Sequence, residues 1–242
     1  MGRGIILGGL LISFLTYSST VYAQDDDAYE YQTEMIWGIT KNTASGLIGG
    51  FTLKYSRARN SKMYETFGLE IVNVKHPKEV RYNSIITGNF FIWGKQSYLY
   101  AIRPQYGRDM ILFRKAPQQG VQIVGSLAGG PSIGILAPYY IQYATGSFSS
   151  VSEQYDPAKH DFPNILGTGR IFQGITESDI AIGFNAKASL SFEFGTFKSN
   201  VTGFEVGFLV DTYTKRVILV PNSDNTAVFP TAFITLFYGS RR

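Results

Sequence analysis

Apolar and polar residues alternate with a period of two along most of the chain, and the clearest run covers residues 180–195. Its odd-numbered positions carry small or polar side chains, whereas its even-numbered positions are all apolar. The apolar face consists of Ile180, Ile182, Phe184, Ala186, Ala188, Leu190, Phe192 and Phe194. Strict alternation of this kind predicts a β-strand whose two faces meet different surroundings.

Shorter or less regular runs with the same period recur along the chain. They cover residues 31–40, 47–56, 66–71, 98–107, 121–141, 203–211 and 227–239. Together with the first run they predict about eight strands, with ten as the alternative, because each strand of this type gives a weak signal. The glycine-rich run 125–134 continues the alternation, so we interpret it as strand rather than as a phosphate-binding loop.

The composition of the two faces distinguishes a membrane barrel from a soluble one. The polar faces are dominated by Gly, Ser, Thr and Asn with occasional charges, which a narrow lumen can hold. The apolar faces are rich in Phe, Leu, Ile and Val, which suit contact with hydrocarbon. In lipid every backbone N–H and C=O needs a partner, so spanning strands must close. The sequence therefore predicts an all-β fold, a single antiparallel transmembrane β-barrel with a side-chain-filled lumen.

The lengths of the connections are a partial test of this prediction. A barrel with both termini on the inner side alternates longer outer loops with tight inner turns. The third and fifth connections, 75–97 and 144–179, are long, and the second and sixth, 58–62 and 198–200, are short. The remaining lengths fit less well, since the inner connection 108–119 is long for a turn. We expect the Tyr- and Ser-rich segment 144–179 to be a mobile outer loop.

The N-terminal 23 residues have the features of a secretory signal. Arg3 precedes an apolar run of 11 residues, 5–15, which is too short for a membrane-spanning helix, and Ala23 suits signal peptidase. We therefore expect a signal peptide at 1–23, a barrel domain at 24–242 and an outer-membrane location. The chain has no cysteine, so neither a disulfide nor lipid attachment at the cleavage point is expected. A net charge of +4 without a basic run argues against nucleic acid as a partner.

Several charged residues fall on the small-residue faces of the predicted strands. Facing lipid, each base would cost about 2–4 kcal/mol near the midplane, so we place all of them inside the barrel. There, acids and bases should pair into an ionic network that resists the removal of one partner. A filled, non-conducting lumen is the preferred interpretation, and a gated ion path is the alternative. The predicted network consists of Glu34, Lys54, Glu70, Arg103, Lys187, Glu193, Glu205 and Asp211.

Two histidines lie in predicted outer loops. In a lipid-modifying enzyme, His160 beside Asp161 could act as a general base, with a hydroxyl such as that of Ser152 as nucleophile. Neighbours in sequence seldom face each other productively, so we interpret both His160 and His76 as solvated loop residues. No metal site is predicted either, since the chain has no cysteine and the two histidines are far apart in sequence. No cofactor is expected.

The chain resembles the uncharacterised outer-membrane β-barrel proteins common in Bacteroidetes, which are Gram-negative. Stretches that carry the resemblance are 67–71, 75–79, 106–108, 112–115, 130–134, 138–140 and 187–194. The resemblance implies the barrel and the membrane, and it implies no activity. We therefore expect a non-catalytic protein with a structural, surface-binding or envelope-assembly role. Its partners would be outer-membrane lipid and other envelope proteins; a narrow channel and a lipid-modifying enzyme are the alternatives.

Overall fold

A computed structural model describes residues 32–45, 49–114, 120–146, 148–170, 173–194, 199–221 and 223–242. All of them belong to the compact unit Tyr31–Arg242. The expected signal peptide at 1–23 lies outside the described residues. The described strands are β1 (Thr33–Asn42), β2 (Gly50–Asn60), β3 (Met63–Val74), β4 (Arg81–Asn83), β5 (Phe90–Ile92), β6 (Ser97–Phe113), β7 (Gln122–Pro138), β8 (Tyr140–Gly146), β9 (Ser149–Gln154), β10 (Ile165–Thr168), β11 (Asp179–Phe194), β12 (Asn200–Tyr213) and β13 (Val228–Arg241), with short 3₁₀ helices at Phe162–Asn164 and Ile175–Glu177.

Eight of these strands form one closed antiparallel barrel in the order β1-β13-β12-β11-β7-β6-β3-β2. The first and last strands close it, with Glu34 opposite Arg241 and Asn42 opposite Phe233. Closure gives every barrel strand two hydrogen-bonded neighbours, so no barrel edge is left open. The predicted fold class, an antiparallel barrel of eight strands with a filled lumen, is confirmed.

Side chains alternate between the inside and the outside of the barrel along every strand. On β11 the odd-numbered positions such as Asn185 and Ser191 are buried, while Ile182 and Phe184 are 62% and 56% exposed. The same phase holds on β12, where Phe208 is 72% exposed and Asp211 is fully buried. The outer wall is therefore mostly apolar, and the inner face of β11 is small or polar, as the sequence predicts.

The two ends of the barrel differ in their connections. At one end, which we call the terminal end, β1 begins, β13 ends, and the connections 61–62, 114–121 and 195–199 are short. At the other, the loop end, the connections are 43–49, 75–96, 139–178 and 214–227. The prediction of a long inner connection at 108–119 is wrong, because β6 continues to Phe113. Its alternation persists there, with Asp109 and Ile111 buried between exposed neighbours.

The two longest loops carry strands of their own, which we call together the loop module, 75–96 and 139–178. Strands β4 and β5 pair as a hairpin, and β8 lies between β9 and β10 in a separate three-stranded sheet. The segment 144–179, expected to be a mobile outer loop, therefore carries regular structure, since β9, β10 and the end of β8 lie within it. A shared aromatic and aliphatic core holds the module, and it consists of Phe91, Ile92, Tyr139, Ile141, Tyr155 and Ile165.

Candidate functional site: the barrel interior and the loop module

The barrel interior contains all eight of the predicted network residues, each on the inward face of its strand. Arg103 on β6 is the centre of one group, because its guanidinium reaches two carboxylates. Nε donates to Asp211 Oδ1 at 3.0 Å, Nη2 donates to Asp211 Oδ2, and Nη1 donates to Glu70 Oε2 at 3.4 Å. Asp211 also accepts from the Ser132 hydroxyl at 2.7 Å. The fork of an arginine suits this two-point contact with a carboxylate.

Lys187 on β11 connects this group to a second one. Its ammonium donates to Glu70 Oε1 at 2.7 Å and lies 3.1 Å from Glu205 Oε1. The same amine lies 4.7 Å from the centre of the Phe233 ring. Glu205 also accepts from the Ser189 hydroxyl at 2.5 Å. An unbroken chain of contacts therefore runs from Asp211 on β12 across the lumen to Glu70 on β3 and back to Glu205 on β12.

Three further ion pairs involve Asp109 and Arg241, two residues that the sequence analysis did not include. Lys54 donates to Asp109 at 2.8 Å, and Arg241 donates to Glu34 Oε2 at 2.5 Å. Arg241 also donates to Glu193. The sequence analysis ended the alternation too early on both strands, at 107 on β6 and at 239 on β13. Continuing the period of two would have placed Asp109 and Arg241 inside.

The described interior holds an excess of acid. It contains six carboxylates, at 34, 70, 109, 193, 205 and 211, against four bases at 54, 103, 187 and 241. A cavity of about 30 Å³ between Lys54, Asp109 and Glu205 has room for about two waters. Five inward-facing strand residues also carry a buried polar atom that has no hydrogen-bond partner among the described residues: Ser56, Gln122, Ser126, Ser191 and Tyr213. The lumen is therefore polar but nearly filled by side chains.

An apolar cluster, which we call the plug, fills the lumen at the loop end. Most of its members are inward-facing strand residues, and Val217 and Leu219 come from the β12–β13 loop. The plug consists of Val72, Val74, Leu99, Ala101, Ala181, Tyr213, Val217, Leu219 and Phe229. Asn225 shapes the loop, because its amide nitrogen donates to the Val220 carbonyl at 2.9 Å and its oxygen accepts from Leu219 N–H at 3.0 Å.

The fit of the plug depends on a glycine of the inner wall. A Cβ added at Gly134 would lie 2.9 Å from both Leu99 Cδ1 and Tyr213 Cε1. Carbon atoms do not approach this closely without a shift of one of them. Glycine on this inner face therefore leaves the space that the aromatic ring of Tyr213 occupies.

Both histidines are buried in the loop module, so their interpretation as solvated residues is wrong. His160 Nδ1 lies 2.9 Å from the Asp156 backbone nitrogen, and its Nε2 lies 3.0 Å from Glu153 Oε1. Its ring also stacks on Tyr155, with 5.8 Å between the ring centres. The hydroxyl of Ser152, the candidate nucleophile, donates to Gln173 instead. The contacts of His160 therefore hold the chain around it.

His76 has contacts of the same structural kind. Its Nδ1 accepts from the Lys78 backbone N–H at 3.2 Å, and its Nε2 lies 3.3 Å from the Asp224 carbonyl oxygen. These contacts join two loops of the loop end. Neither ring nitrogen of His76 has a hydroxyl within hydrogen-bond distance among the described residues.

A buried ion pair also lies within the loop module. The Lys95 ammonium donates to Glu79 Oε1 at 2.8 Å and lies 4.2 Å from the centre of the Tyr98 ring. Burial lowers the pKa of Lys95 below its ordinary value, and the Glu79 carboxylate opposes that shift. Glu79 also accepts from the His76 backbone N–H, so one carboxylate links two parts of this loop.

Within the described ranges, no group of three or more His, Cys, Asp or Glu side chains is arranged to hold a metal ion. No helix in that part of the chain is both long enough and apolar enough to cross a membrane.

The fold and its interior define a class of protein, a closed eight-stranded antiparallel barrel with a filled lumen. No known protein family matches the chain, and no relative is found among curated proteins. Among solved structures, the chain is similar to the attachment invasion locus protein Ail of Yersinia pestis, at 12% identity and a TM-score of 0.40, covering 88% of this chain and 100% of that one. One structure of Ail is a complex with the heparin analogue sucrose octasulfate.

Two further solved structures are similar at lower scores. Neisserial surface protein A is 11% identical with a TM-score of 0.36, covering 87% of this chain and 96% of that one. The N-terminal β-barrel domain of Pseudomonas aeruginosa OprF is 7% identical with a TM-score of 0.35, covering 88% and 98%. These scores are low, so our description of the barrel rests on its own hydrogen-bond register.

Proposed function

We propose that this protein is an exported outer-membrane barrel without catalytic activity, which anchors the loop module at the cell surface for binding or envelope assembly. The observation that carries the proposal is the apolar outer wall around a closed barrel. Exposed side chains such as Trp37, Phe184 and Phe208 would be costly in water and suit hydrocarbon. Export by a signal peptide at 1–23 is part of the proposal.

The orientation that we propose places the terminal end in the periplasm and the loop end outside the cell. Barrels of this kind have short periplasmic turns and longer extracellular loops. The loop module then lies at the surface, with its own core and with exposed apolar tips at Ile85 and Phe148. Rigid loops on a stable scaffold are common positions for binding residues.

Two features of the lumen argue against the alternative that the protein is a channel. The plug fills the lumen at the loop end, and the Arg103 group crosses it further in. The polar cavity beside Lys54 is the one feature that favours an ion path, and it holds only about two waters. Purified folded protein in a planar bilayer should therefore give no single-channel steps; regular steps would favour the channel.

The contacts of the two histidines argue against the enzyme alternative. Catalysis by His160 would need a nucleophile within hydrogen-bond reach, and Ser152 is bonded to Gln173 instead. The variants His76→Ala and His160→Ala should therefore leave the lipid A profile of the cells unchanged. A changed profile in either variant would revive the enzyme hypothesis.

Labelling of intact cells tests the proposed location and orientation. Because the chain has no cysteine, a single substitution gives an unambiguous site. Phe148→Cys at the β8–β9 tip should react with a membrane-impermeant maleimide in intact cells. Arg59→Cys at the terminal end is the matched control and should react only after lysis. Equal labelling of both, or recovery of the protein in the soluble fraction, would contradict the proposal.

A further inference from the structure

A group of exposed bases lies on the outer wall of the barrel near the terminal end. They are carried by β2, by the turn that follows it and by β6. We call this group the basic surface, and it consists of Arg57, Arg59, Lys62 and Arg108. Charges on the outer wall of a barrel are costly near the bilayer midplane and tolerated near its interfaces. Because these bases lie close to the strand ends, their position fits a bilayer interface and not the bilayer midplane.

The register of the strands brings these bases together. Arg57 on β2 lies opposite Glu65 on β3, which lies opposite Arg108 on β6. Arg59 is the next outward residue of β2 towards the terminal end, and Lys62 follows in the turn. Glu65 is the one acid between them, and it already accepts a hydrogen bond from the Tyr106 hydroxyl.

Within the described part of the chain, little negative charge faces this surface. Among the described residues, neither Arg57 nor Arg59 nor Lys62 forms an ion pair. At the loop end, by contrast, the exposed Lys78 pairs with Asp224 at 3.2 Å. The basic surface therefore has the charge to bind an anion from outside the chain.

An apolar surface continues from the bases towards the middle of the barrel. Tyr55 on β2 and Phe67 on β3 are the next outward residues, 43% and 51% exposed. The Phe67 ring contacts that of Tyr106, with 5.4 Å between the ring centres. An arginine layer beside an aromatic layer matches the order of phosphate and acyl chain in a lipid.

We propose that the basic surface binds an anionic phospholipid of the inner leaflet, with its phosphate at Arg57, Arg59 and Lys62 and its acyl chains along Tyr55 and Phe67. The inference rests on the proposed membrane location. A lipid with a phosphate and no ammonium complements this surface, whereas a zwitterionic lipid brings a positive charge of its own towards the arginines. Guanidinium groups bind phosphate oxygens through paired hydrogen bonds.

Spin-labelled lipids test the proposal on the full chain in vesicles. Phosphatidylcholine vesicles containing the folded protein receive a trace of spin-labelled phosphatidylglycerol or spin-labelled phosphatidylcholine, and the motionally restricted fraction gives the relative association constant. We expect the protein to prefer phosphatidylglycerol. The variant Arg57→Gln with Arg59→Gln should lower that preference by about fivefold or more at low salt, since each base near a membrane surface contributes about that factor.

A second variant controls for net charge. Lys215→Gln with Arg216→Gln removes two exposed bases from the loop end, so it has the same total charge as the test variant. It should keep the preference for phosphatidylglycerol. An equal loss in both variants, or no preference in the native protein, would overturn the inference and leave the membrane location intact. An absence of any restricted lipid would overturn the proposed function itself.

Discussion

Replacing Arg103 by methionine should strongly destabilise the barrel. The change removes the three hydrogen bonds that Arg103 donates to Asp211 and Glu70 and keeps an unbranched apolar stem in place of the base. Glu70 retains Lys187, but Asp211, which is fully buried, retains only the Ser132 hydroxyl. Breaking a buried pair by removing one partner costs about 3–5 kcal/mol, because the remaining charge is left in a low-dielectric interior.

The free energy of unfolding is the quantity to measure. Urea titrations of the protein folded in lipid vesicles can follow the fluorescence of its two tryptophans, one of which, Trp37, lies on the outer wall. We expect the urea midpoint to fall by an amount that corresponds to a loss of about 4 kcal/mol in the free energy of unfolding. Arg216→Met, which removes an exposed base from a loop, is the matched control and should change stability by less than about 0.5 kcal/mol.

A double variant separates the interaction energy of the Arg103–Asp211 ion pair from the other effects of the Arg103 substitution. Arg103→Met combined with Asp211→Asn removes both charges and leaves Glu70 with Lys187. If the pair is coupled as its geometry indicates, the double variant should be at least about 2 kcal/mol more stable than the sum of the single changes predicts. Additive single effects, or a loss below about 1 kcal/mol in Arg103→Met, would refute this reasoning.

Three more predictions concern the loop end. Leu219→Ala leaves a space in the plug and should lower the free energy of unfolding by about 2–5 kcal/mol, measured by the same urea titration. His160→Ala removes the ring that contacts Glu153 and Tyr155, so limited proteolysis should cut the loop module faster while the barrel unfolds as before. Burial lowers the pKa of Lys95 in the folded state, so the folded loop binds fewer protons than the unfolded loop. Protection of the loop module from protease should therefore rise with pH between the folded pKa and the ordinary value of 10.5. The variant Lys95→Met should lose this rise.

A specific result would contradict each of these three predictions. Unchanged stability of Leu219→Ala would mean that the plug is loosely packed. Unchanged proteolysis of His160→Ala would mean that its contacts do not hold the module. A pH-independent difference between native Lys95 and the methionine variant would contradict its assigned environment.

The period-two pattern was sufficient to predict the barrel, its strand number and the inward side of the eight charged residues of the predicted network. The reason is physical: in a closed barrel, successive side chains point alternately to the inside and the outside. The composition of a strand therefore shows which of its residues face inward. The run at 180–195 differs from the observed β11 by a single residue at each end. Such regularity holds where the outer wall is uniformly apolar.

The sequence was less informative where the environment changes along a strand. β6 near Asp109 and β13 near Arg241 carry outward charged or small residues, such as Arg108 and Ser240, so the alternation is hidden there. The loop module was missed for another reason. It packs aromatic residues from distant segments together, for example Phe91 against Phe162 at 5.2 Å between ring centres. Contacts between segments that are far apart in sequence leave no local hydrophobic pattern from which they could be predicted.

The direction in which each strand face points is the central claim, and nitroxide scanning of β11 tests it most directly. Single cysteines at successive positions from Gly183 to Leu190, each carrying a spin label in lipid vesicles, report collisions with dissolved oxygen, which concentrates in hydrocarbon. The even-numbered positions should show high oxygen accessibility and the odd-numbered positions low accessibility, in an uninterrupted period of two. Absence of that alternation, or high accessibility of the even positions to a water-soluble nickel chelate, would contradict a lipid-facing outer wall.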